Sequence, residues 1–321
     1  MKKVLFSAPY MIPFVERFRP VFDHYGIELI EPVVEERMEE EELLQYAGQF
    51  DGAICGDDRY TPRVLHACAP RLKVISKWGT GIDSIHEETC NQLGIKIGRT
   101  LNAFTLPVAD SVLGYLLAFS RKQPWMDKAM KAGVWQKIPG KALHEQILGI
   151  VGVGNIGKAV ARRARAFGMT IYGNDILDID HVFIAETGIK MVALDELLRN
   201  SDFISVNCDL NPTSFHLINA ETLKFAKPGA ILINTARGPI VKEVDLVQAL
   251  RSGKLGGAAL DVFEVEPLPH TSPLMRLDNV MIAPHNTNSS PSAWERVHWN
   301  TIKNLLEGLE IDPTSLEEFK K

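Results

Sequence analysis

The sequence is short of cysteine, of net positive charge and of long apolar runs, and each shortage excludes a class of protein. Its 4 cysteines among 321 residues (Cys55, Cys68, Cys90 and Cys208) contain no CxxC pair and make no disulfide framework. They point to a reduced, cytoplasmic setting, with Cys55 and Cys208 as small apolar strand residues. Basic residues number 35 and acidic ones 40, so the net charge is −5 and no basic surface is at hand for nucleic acid. No apolar run approaches the roughly 18 residues of a membrane span. The start, Met1-Lys2-Lys3-Val4-Leu5-Phe6, turns polar at Ser7-Ala8-Pro9, too soon for a signal peptide, and reads as a first strand. No internal repeat stands out.

What is present is an ordinary globular composition, 45% hydrophobic and 23% charged, in a chain long enough for two domains. Short apolar runs at 4–7, 53–55, 73–76, 147–151, 170–173, 203–207, 231–234, 257–260 and 280–282 alternate with helical patterns such as 158–167, 195–199 and 243–252. Strands apolar throughout are expected when both faces of a parallel sheet are covered, so the fold class is α/β. The glutamate-rich stretch 35–42 reads as a solvated helix start favoured by the macrodipole. An amphipathic run, 108–120, is followed by a mixed segment, 123–140, with Pro124, Pro139 and Gly140, which reads as a link between domains. Residues 294–309 read as one long helix after the Ser289-Ser290-Pro291 break.

The sharpest motif follows the strand at 147–151. Gly152-Val153-Gly154-Asn155-Ile156-Gly157 is GxGxxG between a strand and a helix. The first glycine allows the tight turn, the second lets a pyrophosphate approach the backbone, and the third lets helix and strand pack closely. The anion sits on the N–H groups of the helix N-terminus. The next strand ends at Asn174-Asp175, and Asp175 lies 18 residues after Gly157, where an acid receives the adenine-ribose hydroxyls. That acid repels a 2′-phosphate and no arginine follows it, so NAD is favoured over NADP.

Three further strand ends carry ionisable residues. They deliver Thr235-Ala236-Arg237-Gly238, then Asp261 through Glu266-Pro267, then Ala283-Pro284-His285. In doubly wound sheets ligands bind beyond the carboxyl ends of strands. Reduction of a carbonyl needs a hydride and a proton. A histidine can give the proton, a carboxylate beside it can fix the ring, and an arginine can grip a carboxylate and polarise the adjacent carbonyl. Each residue alone also has a bland reading: a surface ion pair for Arg237, a solvated acid for Glu266, a strand-end histidine for His285. Together they suit a 2-oxo acid and 2-hydroxy acid pair, with no metal.

These residues resemble the D-isomer-specific 2-hydroxyacid dehydrogenases over nearly the whole chain. The resemblance is carried by 152–157 with Asp175, by Asn234-Thr235-Ala236-Arg237-Gly238, by Leu260-Asp261-Val262-Phe263 through Glu266-Pro267, and by Pro284-His285. The Arg–Glu spacing of 29 and the Glu–His spacing of 19 match the family pattern. The resemblance implies a Rossmann-type, doubly wound NAD-binding domain, 102–288, inserted in a smaller flavodoxin-like α/β substrate domain, 1–101 plus 289–321. It gives Arg237 the substrate carboxylate, His285 the proton and Glu266 the histidine. It makes the backbone of Trp78, Gly79, Thr80 and Gly81, after Lys77, a second carboxylate clamp, although a glycine-rich tight turn would look the same. Gly152, Gly154, Asn155, Ile156 and Gly157 would meet the pyrophosphate. Cys208 would line the adenosine side, Thr235 and Ala236 would flank the nicotinamide ribose with Arg237 and His285 nearby, and Asp261 would accept from the carboxamide. Relatives are usually dimers, so a homodimer through 108–140 is expected, with Trp125 and Trp135 as apolar anchors or as internal core.

Within the family the sequence is most similar to a phosphoglycerate dehydrogenase-like branch, around 77–85, 109–115 and 294–297. Gly56-Asp57-Asp58-Arg59 stands where those enzymes commonly place an Arg-Ser-x-Thr run, and two acids there would repel a phosphate, although Arg59 or Lys77 could reach one. Asn286-Thr287-Asn288-Ser289 replaces the usual glycine-containing turn, and no C-terminal regulatory module follows. A 3-phosphoglycerate-type substrate and an unphosphorylated one (glyoxylate, hydroxypyruvate) both stay open. Two other classes remain: an NAD(H)-sensing corepressor-like protein, which would show an apolar peptide groove or long tails, and another Rossmann enzyme such as a methyltransferase, which would not need the Arg, Glu and His.

Overall fold

The computed structural model describes residues 1–320. The chain divides into two compact units, 1–104 with 290–321 and 105–289. The first holds five strands: β1 (Lys2–Phe6), β2 (Ile27–Ile30), β3 (Gly52–Cys55), β4 (Val74–Lys77) and β5 (Lys96–Gly98). Their order is β2-β1-β3-β4-β5, every pair parallel, which is the flavodoxin-like arrangement. The second holds β6 (Ile147–Val151), β7 (Thr170–Asn174), β8 (Lys190–Met191), β9 (Phe203–Val206), β10 (Ala230–Asn234), β11 (Leu255–Leu260) and β12 (Val280–Ile282). Their order, β12-β11-β10-β9-β6-β7-β8, is again all parallel and reverses direction beside β6. That is a doubly wound Rossmann sheet, with its switch point where the glycine-rich turn begins.

The strands owe their apolar composition to being covered on both sides. In the first unit Val4, Phe6, Ile54 and Val74 pack on one face, with Val297, Ile302, Leu305 and Leu306 of the helix Pro291–Gly308. Leu5, Ala53, Cys55 and Ile75 pack on the other, with Val64 and Leu65. Each valine, leucine, isoleucine or phenylalanine among them stabilises the fold by about 1.5–3 kcal/mol through burial. The helix lies close on the sheet: a Cβ at Gly308 would stand 2.2 Å from Val74 Cγ2, so a larger residue there would push helix and strand apart. In the second unit Ile150, Phe203, Ile231 and Ile233 face one layer, while Ile204, Val206 and Leu232 face the other.

Two sequence expectations need correction. Residues 123–140 are not a link between units. They lie inside the second unit, where 123–131 form a helix (Gln123–Lys131). That helix docks through Trp125, whose ring packs on Phe119 at 5.0 Å and whose Nε1 donates to Asp278 O at 2.9 Å. Trp135 is 87% exposed, whereas Trp125 is partly buried against the core. The acidic helix begins later than expected, at Glu40, because Glu39 and Glu42 form a capping box there. Among the described residues no helix is long and apolar enough to cross a membrane.

Candidate active site

Two glycines of the nucleotide turn admit no substitute. Gly152 has φ +89°, and a Cβ on it would stand 2.4 Å from Cys208 N. Conformation and close approach both demand glycine. A Cβ on Gly157 would meet Gly152 O at 2.1 Å, so helix and turn touch backbone to backbone. Gly154 is different: a Cβ there would meet nothing within 4 Å. It caps the helix Asn155–Ala166 without any side-chain bond, leaving open space over the N-terminus where Asn155 and Ile156 follow. Asp175, just past β7, accepts from Val153 N at 2.7 Å and Leu177 N at 2.9 Å. It therefore holds the turn. Cys208 backs Gly152, and burial pushes its thiol up to about 11, so the side chain is neutral and weakly polar.

Strands β10, β11 and β12 bring the second group of residues to one sheet edge. Asn234, at the end of β10, accepts from Ala236 N at 3.1 Å and donates to Arg237 O at 2.9 Å. This buried amide ties the turn that presents Arg237, whose Nη1 donates to Ala236 O at 2.9 Å. Thr235 is 7% exposed and its Oγ1 is buried with no protein partner. A buried hydroxyl in that state calls for a ligand or water.

Glu266 and His285 pair directly. His285 Nδ1 lies 3.0 Å from Glu266 Oε2, while Glu266 Oε1 accepts from Phe263 N at 2.8 Å. The carboxylate is thus fixed by the main chain and fixes the ring in turn. His285 holds φ +50°, an uncommon conformation for a residue with a side chain. Asp261 explains how. Its carbonyl accepts from His285 N at 2.8 Å. Its side chain, wholly buried, accepts from Asn286 N at 2.7 Å, Thr287 N at 2.9 Å and Thr287 Oγ1 at 2.5 Å. The sequence suggests Asp261 as an acceptor for a carboxamide; here both of its oxygens hold the loop that carries His285. This anchoring, and that by Asn234, were missed in the sequence. The only signal was a polar residue at the end of an otherwise apolar strand.

Trp78, Gly79, Thr80 and Gly81 belong to the first unit. Trp78 is 3% exposed, with its main-chain N–H donated to Cys55 O at 2.8 Å and its Nε1 to His298 Nδ1 at 3.0 Å. Thr80 Oγ1 donates to Thr100 O at 2.7 Å. Trp78 is therefore a core residue, and what this turn can offer a ligand is the main chain of 79–81, with Gly79 at φ +121°. Beside it, Lys77 Nζ pairs with Asp57 Oδ1 at 3.1 Å and donates to Trp78 O at 3.1 Å. Asp58 turns the other way. It is wholly buried, accepting from Ser7 Oγ at 2.5 Å and Met38 N at 2.8 Å, and burial raises its carboxyl to about 6.

The sequence profile of the D-isomer specific 2-hydroxyacid dehydrogenase NAD binding domain matches residues 113–287, more than half of the chain. The chain belongs to this family. A glyoxylate reductase of Thermococcus onnurineus is 37% identical over 304 residues, covering 91% of this chain and 90% of the relative. A D-3-phosphoglycerate dehydrogenase of Methanocaldococcus jannaschii is 35% identical over 274 residues, covering 84% of this chain and 52% of the relative. The solved structure of D-lactate dehydrogenase from Aquifex aeolicus, complexed with NAD and lactic acid, aligns with a TM-score of 0.84 at 25% identity, covering 96% of this chain and 97% of that one.

As a D-isomer-specific 2-hydroxyacid dehydrogenase the chain is an NAD-dependent oxidoreductase. Its own residues fit that cofactor. The open space over Gly154 suits a pyrophosphate, and the orphaned Thr235 hydroxyl awaits a polar partner at the same sheet edge as Arg237.

Proposed function

We propose that this dehydrogenase reduces a small, unphosphorylated 2-oxo acid, of the glyoxylate or hydroxypyruvate kind, to its 2-hydroxy acid, the D-isomer where that carbon is chiral. Arg237 binds the substrate carboxylate through paired N–H bonds and polarises the neighbouring carbonyl. His285 donates the proton from Nε2 to the carbonyl oxygen and is left as neutral imidazole. Glu266, at Nδ1, orients the ring and faces its positive charge before transfer. NADH, when bound, would supply the hydride for the carbonyl carbon. Main-chain N–H groups of Gly79, Thr80 and Gly81 form a second grip on the carboxylate. Asn155 and Ile156 would meet the pyrophosphate, Asp175 the adenine ribose, Cys208 the adenosine side, and Thr235 with Ala236 the nicotinamide ribose.

The unphosphorylated reading rests on the Lys77–Asp57 pair. Its cation is the buried member, with 5% of the side chain exposed, and its carboxylate is the open one, at 37%. The more exposed member of the pair is therefore the carboxylate, which would repel a phosphate brought beside it. Two like charges near a protein surface repel by about 4 kcal/mol at roughly 4 Å. Arg59 stands 4.0 Å from the Glu39 carboxylate, which draws it aside. A formyl or hydroxymethyl group meets no such penalty.

The test is NADH oxidation with glyoxylate, hydroxypyruvate, pyruvate and phosphohydroxypyruvate at matched concentrations. The expected result is that an unphosphorylated acid has the highest kcat/KM. A preference for phosphohydroxypyruvate would overturn the substrate reading. NADH binding without turnover of any acid would move the chain to the NAD(H)-sensing, corepressor-like class. We also propose a homodimer through 108–140, supported by exposed Met130, Val134 and Trp135, to be checked by sedimentation.

A further inference from the structure

The loop that carries Glu266 holds a second carboxylate, Glu264, and that one also meets a histidine. His216 Nε2 lies 2.7 Å from Glu264 Oε1. Two histidine–carboxylate pairs thus hang from one short stretch, Phe263-Glu264-Val265-Glu266. Only the Glu266 pair has a part in the proposed chemistry.

His216 is held as though its position matters. It has φ +50°, which a residue with a side chain keeps only where its surroundings over-determine it. Its N–H donates to Pro239 O at 2.8 Å, and its carbonyl accepts from Asn219 Nδ2 at 2.8 Å. Phe215 stacks on its ring with centroids 4.0 Å apart. Pro239 follows Arg237 by two residues. Gly238 between them presses on the Glu266 loop so closely that a Cβ would stand 1.9 Å from Phe263 C and 2.5 Å from Glu264 N. His216 therefore touches both arms of the site: the Arg237 turn through its backbone, the Glu266 loop through its ring. Another charged group at this junction is Glu243, whose Oε2 accepts from Glu264 N at 3.4 Å. With a second acid so close, Glu264 needs an opposing partner, and the imidazole of His216 is that partner.

We infer that His216 is a positioning residue, which through Glu264 holds the 263–266 loop where Glu266 meets His285. The inference rests on the assignment of Glu266 and His285 in the proposed function. The pair is about one-third exposed on both sides, so it adds little to global stability. Catalysis is more sensitive, because a shift of about 1 Å in a supporting group can cost up to roughly 100-fold in rate.

The arrangement predicts a specific pattern. A side-chain change at His216 loosens the Glu266 loop but leaves the backbone bond to Pro239 and the Arg237 turn. So kcat falls while KM for the oxo acid and for NADH stays put. His216→Asn is the variant of choice, since asparagine tolerates the left-handed conformation but its shorter side chain does not reach Glu264. Glu264→Ala removes the other partner, and Glu264→Gln keeps an acceptor for the ring.

The experiment measures kcat and both KM values for His216→Asn, Glu264→Ala, the double variant, Glu264→Gln and His285→Ala, with thermal melts as a control. We expect each of the first two to lower kcat about three- to tenfold, the double variant to be no worse than either, and Glu264→Gln to recover most of the loss. Additive losses, an unchanged kcat, or a rise in KM matching the fall in kcat would overturn the positioning role. His285→Ala separates the two claims. If it retains full kcat, the proton-donor assignment fails first. If it abolishes turnover while the His216 and Glu264 losses are independent, only the positioning role falls.

Discussion

Replacing Glu266 by glutamine tests the centre of the proposed chemistry with a change of only one heavy atom. Glu266 makes two bonds, from Phe263 N at 2.8 Å and with His285 Nδ1 at 3.0 Å. The main-chain N–H can only donate, so it selects the oxygen of the new amide and turns the NH₂ toward His285. Nδ1 must then accept, and the doubly protonated ring would place donor against donor. The proton-loaded state is what suffers. A hydrogen bond to a charged group contributes about 1.5–3 kcal/mol net, and the pair is only about one-fifth exposed, so most of that value applies. At about 1.4 kcal/mol per tenfold, kcat should fall roughly 10- to 100-fold. KM for NADH should not move, because Glu266 makes neither of its bonds to the nucleotide turn. The assay is steady-state loss of NADH absorbance with the best oxo acid of the panel, alongside a thermal melt. A folded Glu266→Gln enzyme with kcat within about threefold of the parent would refute the role of the pair.

Asp175→Ala should raise KM for NADH severalfold more than KM for NADPH, and should also lower the melting temperature, since Val153 N loses its acceptor; equal losses for both cofactors would contradict the ribose assignment. Gly152→Ala should abolish NADH binding, measured by fluorescence titration, because backbone atoms 2.4 Å from the new Cβ cannot yield; normal affinity would refute the steric account. Asp58 titrates near 6 when folded against 3.8 as its ordinary value, so its stability contribution is complete below about pH 4 and is lost as pH rises through about 6. Asp58→Asn should remove that loss and raise stability at neutral pH by up to about 3 kcal/mol in urea titrations; a destabilised variant at pH 7 would refute it. His298, lowered to about 4 by burial, has the opposite sign: its contribution is complete above about pH 6.5 and is lost as pH falls through about 4. In the parent the two slopes oppose each other, so Asp58→Asn should uncover the histidine's acid-side loss; no steeper decline below pH 6 would count against it.

The sequence is most legible where backbone geometry dictates residue type. Gly152 and Gly157 have no alternative at contacts of 2.4 and 2.1 Å, so the turn is written in residue types that a reader can decode. Arg237, Glu266 and His285 are legible for a related reason: parallel strands buried on both faces leave polar side chains only at their ends, and those ends share an edge. Strands β2, β5 and β8 were missed because each lies at a sheet edge, where partial exposure breaks the apolar run. The helix Gln123–Lys131 was missed because its proline and lysines dominate the local pattern, while its anchors, Phe119 and Asp278, lie outside the segment. The bond between His216 and Glu264 spans 48 residues and two loops, and no periodicity encodes it.

Asp57 and Asp58 mark the limit of reading by composition. In the sequence they are two equal negative charges at the end of β3, and as such both argue against a phosphate. The structure separates them: both lie past the end of β3, Asp57 within a bend, and their side chains take different partners. Asp57 goes to Lys77 and keeps more than one-third of its side chain exposed, so under the proposed function it is the one of the two that would bear on what the substrate carries. Asp58 goes inward to Ser7 and Met38, where burial favours its protonated form, and it bears on stability instead. Asp57→Asn should therefore relax discrimination against a phosphorylated acid, raising kcat/KM for phosphohydroxypyruvate relative to hydroxypyruvate by roughly tenfold if about 1.4 kcal/mol of repulsion is lifted. Asp58→Asn should leave that ratio unchanged. If both variants moved the ratio equally, the charge count in the sequence, and not the separate placement of the two side chains, would be setting the selectivity.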